Sequence, residues 1–127
     1  MKKQFSVLII EDEEALAKAL KQRFEADGFL ATVALDGVEA IPLIESNSFD
    51  LIILDILMPN LDGWDVLESV RDKNKLVLVL SNLSQPEDIR RAKSLGAKDY
   101  LVKSHVSLTK VVSKAISLLN GKDDEEH

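Results

Sequence analysis

Residues 51–63 read LIILDILMPNLDG, an apolar run that ends directly in an aspartate and is followed by a turn-forming segment with Pro59 and Gly63. The apolar run is continuous rather than alternating, which is typical of a strand covered on both faces in a parallel sheet. Runs of the same character occur at 7–10 and 77–80. These three segments predict a parallel sheet with helices on both sides.

Strand and helix patterns alternate along the whole chain. The predicted strands are 6–10, 30–34, 51–54, 76–80 and 100–102, and helical spacing of apolar residues covers 15–24, 38–44, 66–70, 86–95 and 106–119. Asp36 and Asp62 are predicted N-caps of the second and third helices. Pro42 lies inside the second helical pattern, so we expect that helix to be short or kinked. Five βα units in succession imply one parallel sheet with right-handed crossovers.

Length and composition fit one globular domain, and they exclude several classes of function. The chain has 127 residues, of which 46% are hydrophobic and 30% charged, and it contains no cysteine, so disulfides, thiol nucleophiles and thiolate metal sites are excluded. The net charge of −6 argues against a surface that binds nucleic acid directly. No apolar run is long enough for a membrane span, and we expect a cytoplasmic protein. We predict a domain over 1–121 and an acidic flexible tail over 122–127.

Polar side chains follow the predicted strands at their carboxyl ends. Glu11 and Asp12 follow the first strand, Asp55 the third, Ser81 the fourth and Lys103 the fifth. Ligands of open parallel sheets bind beyond the carboxyl ends of the strands. We therefore expect these side chains to meet at one edge of the sheet.

The chemistry open to such a cluster is limited. Neighbouring carboxylates raise one another's pKa unless a cation neutralises them. A ligand set made only of oxygen atoms favours a hard cation, and Mg²⁺ is the best candidate. Mg²⁺ together with Lys103 would bind and polarise a phosphoryl group, and a carboxylate beside them can act as the nucleophile. The residues therefore predict metal-assisted phosphoryl transfer to an aspartate.

The sequence resembles the receiver domains of two-component response regulators over nearly its whole length. The segment DILMPNLDG at 55–63 follows the family pattern D-x-x-M-P-x-x-D-G. Supporting segments, in the family's order, are IIEDE at 9–13, LSN at 80–82 and LGAKDYLVK at 95–103. The resemblance implies a flavodoxin-like, doubly wound α/β fold, with a five-stranded parallel sheet in the order 2-1-3-4-5 flanked by five helices.

The resemblance also implies a role for each residue at this edge. Asp55 would be the phosphoacceptor, and Lys103 would pair with the phosphoryl oxygens. Glu11, Asp12 and Asp55 would contact Mg²⁺ directly or through water. The backbone carbonyl of Leu57 would complete the protein's share of the metal ligands.

Two further residues match the family's switch. Ser81 would hydrogen-bond a phosphoryl oxygen after transfer, and Tyr100 would be the switch aromatic whose ring position follows Ser81. The surface of helix four, strand five and helix five would then report phosphorylation. The implied partners are a sensor histidine kinase or a histidine phosphotransfer protein upstream, and an unidentified protein or output domain downstream.

Other functions are compatible with the same residues. A receiver-like module that binds proteins without phosphorylation would keep the fold, and Mg²⁺ binding would separate it from a switch. An aspartyl-phosphate phosphatase would release phosphate steadily from many esters, and we expect no cap domain here to select such substrates. A flavin-binding electron carrier shares the fold, but an acidic edge would repel the flavin's phosphate.

The sequence departs from the commonest family pattern at three positions. Glu11 stands where the family usually has aspartate, which we expect to alter metal affinity rather than abolish binding. Asn82 occupies a position usually held by a small residue, where it either restricts access or donates a hydrogen bond. Ser104 follows Lys103 where the family usually has a proline after a cis peptide. A cis bond before serine would cost roughly 3 kcal/mol, so we predict a trans peptide, a differently routed loop and a less firmly held Lys103.

Overall fold

The computed structural model describes residues 4–71 and 73–121, so the predicted acidic tail lies outside the described residues. Strands and helices alternate as predicted. The strands are β1 (Ser6–Ile10), β2 (Leu30–Ala34), β3 (Leu51–Leu54), β4 (Val77–Ser81) and β5 (Asp99–Val102). The helices are α1 (Glu14–Ala26), α2 (Gly37–Ser46), α3 (Gly63–Val70), α4 (Pro86–Ser94) and α5 (Leu108–Leu119).

All strand pairs are parallel, in the order β2-β1-β3-β4-β5. This confirms the flavodoxin-like, doubly wound fold with order 2-1-3-4-5. The strand order reverses between β1 and β3, and ligands bind at that point in folds of this kind.

Among the described residues, no helix is both long and apolar enough to cross a bilayer.

The continuous apolar runs are explained by two hydrophobic clusters, one on each face of the sheet. Leu8, Ile52 and Val79 contribute to the cluster that includes α2, α3 and α4 residues. Their neighbours in sequence, such as Ile9 and Ile53, contribute to the cluster with α1 and α5 residues. Because successive strand residues point to opposite faces, both sets must be apolar when both faces are covered.

The predicted helix caps are confirmed. Asp36 accepts a hydrogen bond from the Glu39 N–H at 2.8 Å, and Asp62 accepts one from the Asp65 N–H at 3.1 Å. Each bond satisfies a donor that the first helical turn leaves without a partner. These caps fix where α2 and α3 begin.

Pro42 does not interrupt α2, which continues to Ser46. The missing proline N–H leaves the carbonyl of Val38 without its helical donor. Val38 and Pro42 are both exposed, so water can satisfy that carbonyl. α2 therefore runs through Pro42 over 10 residues, and a kink at Pro42 stays a prediction.

Among the differences from the predicted boundaries, two lie next to the candidate residues Ser81 and Lys103. β4 is shifted by one residue and includes Ser81, which pairs with Val102 of β5. The segment after β5 forms a short 3₁₀ helix (Lys103–His105), and α5 begins only at Leu108 after the Ser107 cap. The Ser107 Oγ accepts the Lys110 N–H at 3.1 Å, which is the local reason for the later start.

Candidate functional site

Asp55 and Glu11 are placed by one-residue extensions of the strand ladder. The Asp55 N–H donates to Ile10 O at 3.0 Å, and the Glu11 N–H donates to Ala34 O at 3.0 Å. Both carboxyl groups lie at the carboxyl edge of the sheet, and these residues are only 3% and 1% exposed. Buried charges require a partner, so this edge demands a cation.

Lys103, which directly follows β5, supplies that positive charge. Its Nζ lies 2.8 Å from Asp55 Oδ2 and 2.9 Å from Glu11 Oε1. A third carboxylate, Glu13, approaches the same Nζ at 3.2 Å. The contact to Glu13 was not predicted, because its side chain is exposed and belongs to the loop before α1 rather than to a strand end.

The other oxygen of each buried carboxylate accepts a backbone N–H. Asp55 Oδ1 accepts from Leu57 at 3.0 Å, and Glu11 Oε2 accepts from Glu13 at 3.0 Å. Each carboxylate is therefore fixed at both oxygens, which gives Asp55 a defined orientation before any ligand arrives.

In both Glu11 and Lys103, burial and the hydrogen bonds of the side chain shift the pKa in opposite directions. Burial is the main reason that the pKa of Glu11 is raised to about 7, and the nearby Asp55 charge adds to it. The Lys103 hydrogen bond and the Glu13 N–H act in the opposite direction. Burial alone would lower the pKa of Lys103, but its bonds to Asp55 and Glu11 outweigh burial and raise that pKa. Lys103 is therefore a permanent cation at this site.

A metal ion fits the acidic residues. One carboxylate oxygen from each of Glu11, Asp12 and Asp55 lies within 4.8 Å of the others. Glu11 and Asp55 are buried and Asp12 is half-buried, so the cluster opens toward solvent on one side. An all-oxygen donor set with an open side suits a hard divalent cation that retains several waters.

Ser81 and Tyr100 are connected through the backbone of Leu83. Ser81 is fully buried, and its Oγ accepts the Leu83 N–H at 3.3 Å. The Tyr100 hydroxyl donates to Leu83 O at 2.6 Å, and the residue is only 8% exposed. Burial raises the pKa of Tyr100. Leu83 is therefore hydrogen-bonded to both Ser81 and Tyr100.

The loop after Asp55 is held against the start of α3. The Gly63 N–H donates to Ile56 O at 2.9 Å. A Cβ at Gly63 would lie 2.5 Å from Asp55 O and closer still to the Ile56 Cα. Only glycine permits this approach, so Gly63 determines how near α3 comes to the Asp55 backbone.

The prediction of a trans Lys103–Ser104 peptide is confirmed, since no peptide within 4–71 and 73–121 is cis. The Ser104 N–H donates to Asn82 Oδ1 at 2.9 Å. Asn82 therefore acts as an acceptor here, a role that was not predicted from the sequence. Lys103 contacts three carboxylates despite the missing proline.

Comparisons with known proteins agree with this geometry. A family model described as "Response regulator receiver domain" matches residues 7–115. A probable transcriptional regulator, ycf27 of Cyanidium caldarium, is 36% identical over 103 residues, which are 80% of this chain and 41% of that protein. The chain thus spans about two-fifths of the length of that relative.

Two solved structures have the same fold. The receiver domain of Francisella response regulator 1452 superposes with a TM-score of 0.86 and 34% identity, covering 92% of this chain and 98% of that one. The CheX–CheY–BeF₃–Mg²⁺ complex from Borrelia burgdorferi gives a TM-score of 0.83 and 33% identity, covering 90% of this chain and 88% of the matched one. Together with the family match over most of its length, this shows that the chain belongs to the response regulator receiver domain family.

Proposed function

We propose that this protein accepts a phosphoryl group on Asp55 from a phosphohistidine, carried by a sensor histidine kinase or a histidine phosphotransfer protein. The observation that carries the proposal is the 2.8 Å contact between Asp55 Oδ2 and Lys103 Nζ beside the Glu11–Asp12 pair. In that arrangement a nucleophilic carboxylate, a fixed cation and a metal-ligand set lie at one edge.

The transfer step is a displacement at phosphorus. An oxygen of Asp55 forms the new P–O bond while the P–N bond to the donor imidazole breaks, and the electron pair of that bond stays with the imidazole. Lys103 is placed to pair with the phosphoryl oxygens as their charge redistributes. The product is an acyl phosphate on Asp55.

Glu11, Asp12, Asp55 and the carbonyl of Leu57 would hold Mg²⁺. When bound, this ion would neutralise charge between the acceptor carboxylate and the phosphoryl oxygens. The all-oxygen donor set supports this choice, as does the presence of Mg²⁺ in the Borrelia complex.

The response to phosphorylation is a binding event rather than turnover of a substrate. Phosphorylation would add nearly two negative charges and strong acceptor oxygens beside Ser81. If Ser81 moved toward a phosphoryl oxygen to donate a hydrogen bond, its Oγ would move away from the Leu83 N–H, and Tyr100 is hydrogen-bonded to the carbonyl of that same residue. The α4–β5–α5 surface would then recognise a downstream protein or an output domain. We also propose that the protein is located in the cytoplasm, as expected from the sequence.

The test is the intact mass of the protein after incubation with Mg²⁺ and acetyl phosphate, with Asp55→Asn as the control. We expect one phosphoryl adduct that requires both Mg²⁺ and Asp55. Mg²⁺ binding without an adduct would indicate that Asn82 or Ser104 has impaired the site. The absence of both would favour a receiver-like binding module, and steady phosphate release from many esters would indicate a phosphatase.

A further inference from the structure

Asn82 and Ser104 join the loops that follow β4 and β5. Parallel pairing of these strands ends at Ser81 and Val102. The hydrogen bond from the Ser104 N–H to Asn82 Oδ1, at 2.9 Å, lies just beyond that last pair. The Asn82 side chain therefore supplies an acceptor where the backbone of β4 has left the sheet.

The peptide held by this bond is the one that follows Lys103. Fixing its orientation restricts the backbone of Lys103 and so the direction in which the side chain leaves it. The lysine stem is long and flexible, yet its Nζ contacts Asp55 at 2.8 Å and Glu11 at 2.9 Å. A defined backbone therefore reduces the number of stem conformations that miss the site.

The donor in this contact belongs to the backbone and the acceptor to a side chain. Any residue except proline at 104 provides the N–H, whereas only the side chain at 82 provides the acceptor. Both residues are exposed, so changing either side chain leaves the hydrophobic clusters intact. The contact can therefore be removed at Asn82 without altering the core.

We propose that Asn82 is a positioning residue: it holds the Lys103–Ser104 peptide and thereby directs Lys103 Nζ at Asp55. The inference rests on the proposed function, since it assigns Asn82 to phosphoryl transfer through Lys103. It also gives Asn82 and Ser104 a joint role, because Asn82 Oδ1 accepts from the Ser104 N–H, which a proline at position 104 would lack.

The first experiment compares Asn82→Ala with Ser104→Ala, which retains the backbone donor. We measure initial phosphorylation rates with acetyl phosphate at saturating Mg²⁺. Because small displacements of a catalytic group reduce rates strongly, we expect Asn82→Ala to be slower by roughly three- to tenfold. Ser104→Ala should match the wild type.

Two further readouts separate positioning from general disruption. Lys103 competes with a cation for Asp55 and Glu11, so a loosened Lys103 leaves Mg²⁺ affinity unchanged or tighter. Amide hydrogen exchange at position 104, measured by NMR without Mg²⁺ or phosphodonor, should speed up in Asn82→Ala and stay protected in Ser104→Ala.

Faster phosphorylation of Asn82→Ala would show that Asn82 obstructs the donor, and weaker Mg²⁺ binding would show that it supports the whole site; either result overturns the inference. Equal rates or unchanged amide exchange would overturn it as well. A wild-type protein that gains no phosphoryl group would overturn the proposed function, and with it this inference. A phosphorylated wild type with no loss in Asn82→Ala rejects the inference alone.

Discussion

Gly63 shows how a single residue sets the geometry of the site. In a helix interior alanine is preferred to glycine by about 1 kcal/mol, and Gly63 is the first residue of α3. The structure reverses that expectation, because a Cβ there would meet the backbone of Asp55 and Ile56. The cost of overlap in a packed environment exceeds the gain in propensity.

We expect Gly63→Ala to destabilise the protein by about 1–3 kcal/mol and to slow phosphorylation, because the Asp55 backbone must move. Urea unfolding and acetyl phosphate labelling measure the two effects. Gly96→Ala is the control: Gly96 has φ of 105° with open space around it, so that variant should lose stability without losing phosphorylation per folded molecule. Unaltered stability and phosphorylation in Gly63→Ala would contradict the close approach.

At the scale of elements, Asp99 ties β5 to the two helices beside it. Its Oδ2 lies 3.0 Å from Lys114 Nζ on α5, and its Oδ1 lies 3.8 Å from Lys93 Nζ on α4. A second link between helices is the Arg91 guanidinium on α4, which lies 4.0 Å from the centroid of the Trp64 ring on α3. In α4, Ala92 is buried, and Ile89 is partly buried and packs against the same hydrophobic cluster.

We expect Asp99→Asn to lower the free energy of unfolding at pH 7 by about 1 kcal/mol. Burial alone would raise the pKa of Asp99, but Lys114, the Tyr100 N–H and Lys93 together lower it below 3.8. The carboxylate's contribution is thus present above pH 3.8 and is lost as the pH falls through the folded-state pKa.

Urea unfolding from pH 7 to pH 3 tests this expectation. The difference between wild type and Asp99→Asn should shrink at the acidic end. Glu68→Gln is the matched control, because the Glu68–Arg71 pair is 3.5 Å long with both side chains about half exposed, and it should change stability little. A difference that is constant across this pH range would contradict the assigned ion pairs.

At the scale of the whole molecule, the fold and the centre of the site could be predicted from the sequence. Parallel strands bring their carboxyl ends together, so Asp55 and Lys103 could be placed at one edge without coordinates. The contact of Asn82 with Ser104 and the approach of Gly63 could not be predicted. The first depends on the distance between two loops that are separate in sequence, and the second on how closely the loop after Asp55 folds back on its own backbone.

The carboxylates of the acidic cluster are expected to be needed for Mg²⁺ binding, but they lower the stability of the metal-free protein. Glu11, Asp12 and Asp55 repel one another, and Lys103 offsets only part of their charge. We expect Asp12→Asn to raise the metal-free free energy of unfolding by about 1 kcal/mol, because a like charge is removed. The same change should weaken stabilisation by Mg²⁺, which for the wild type is about 2.7 kcal/mol at a concentration 100 times the Kd.

Urea unfolding with and without Mg²⁺ measures both effects. Glu45→Gln, an exposed change on α2 outside the acidic cluster, carries the same change in charge and should leave the Mg²⁺ response intact. If Glu45→Gln stabilised the metal-free protein as much as Asp12→Asn, the gain would reflect net charge rather than the cluster. Asp12→Asn with a full Mg²⁺ response would show that Asp12 is not a metal ligand. If Asp12→Asn alone raised the free energy of unfolding without Mg²⁺ and lowered it with Mg²⁺, each relative to the wild type, the repulsion would lie at the site that binds the ion.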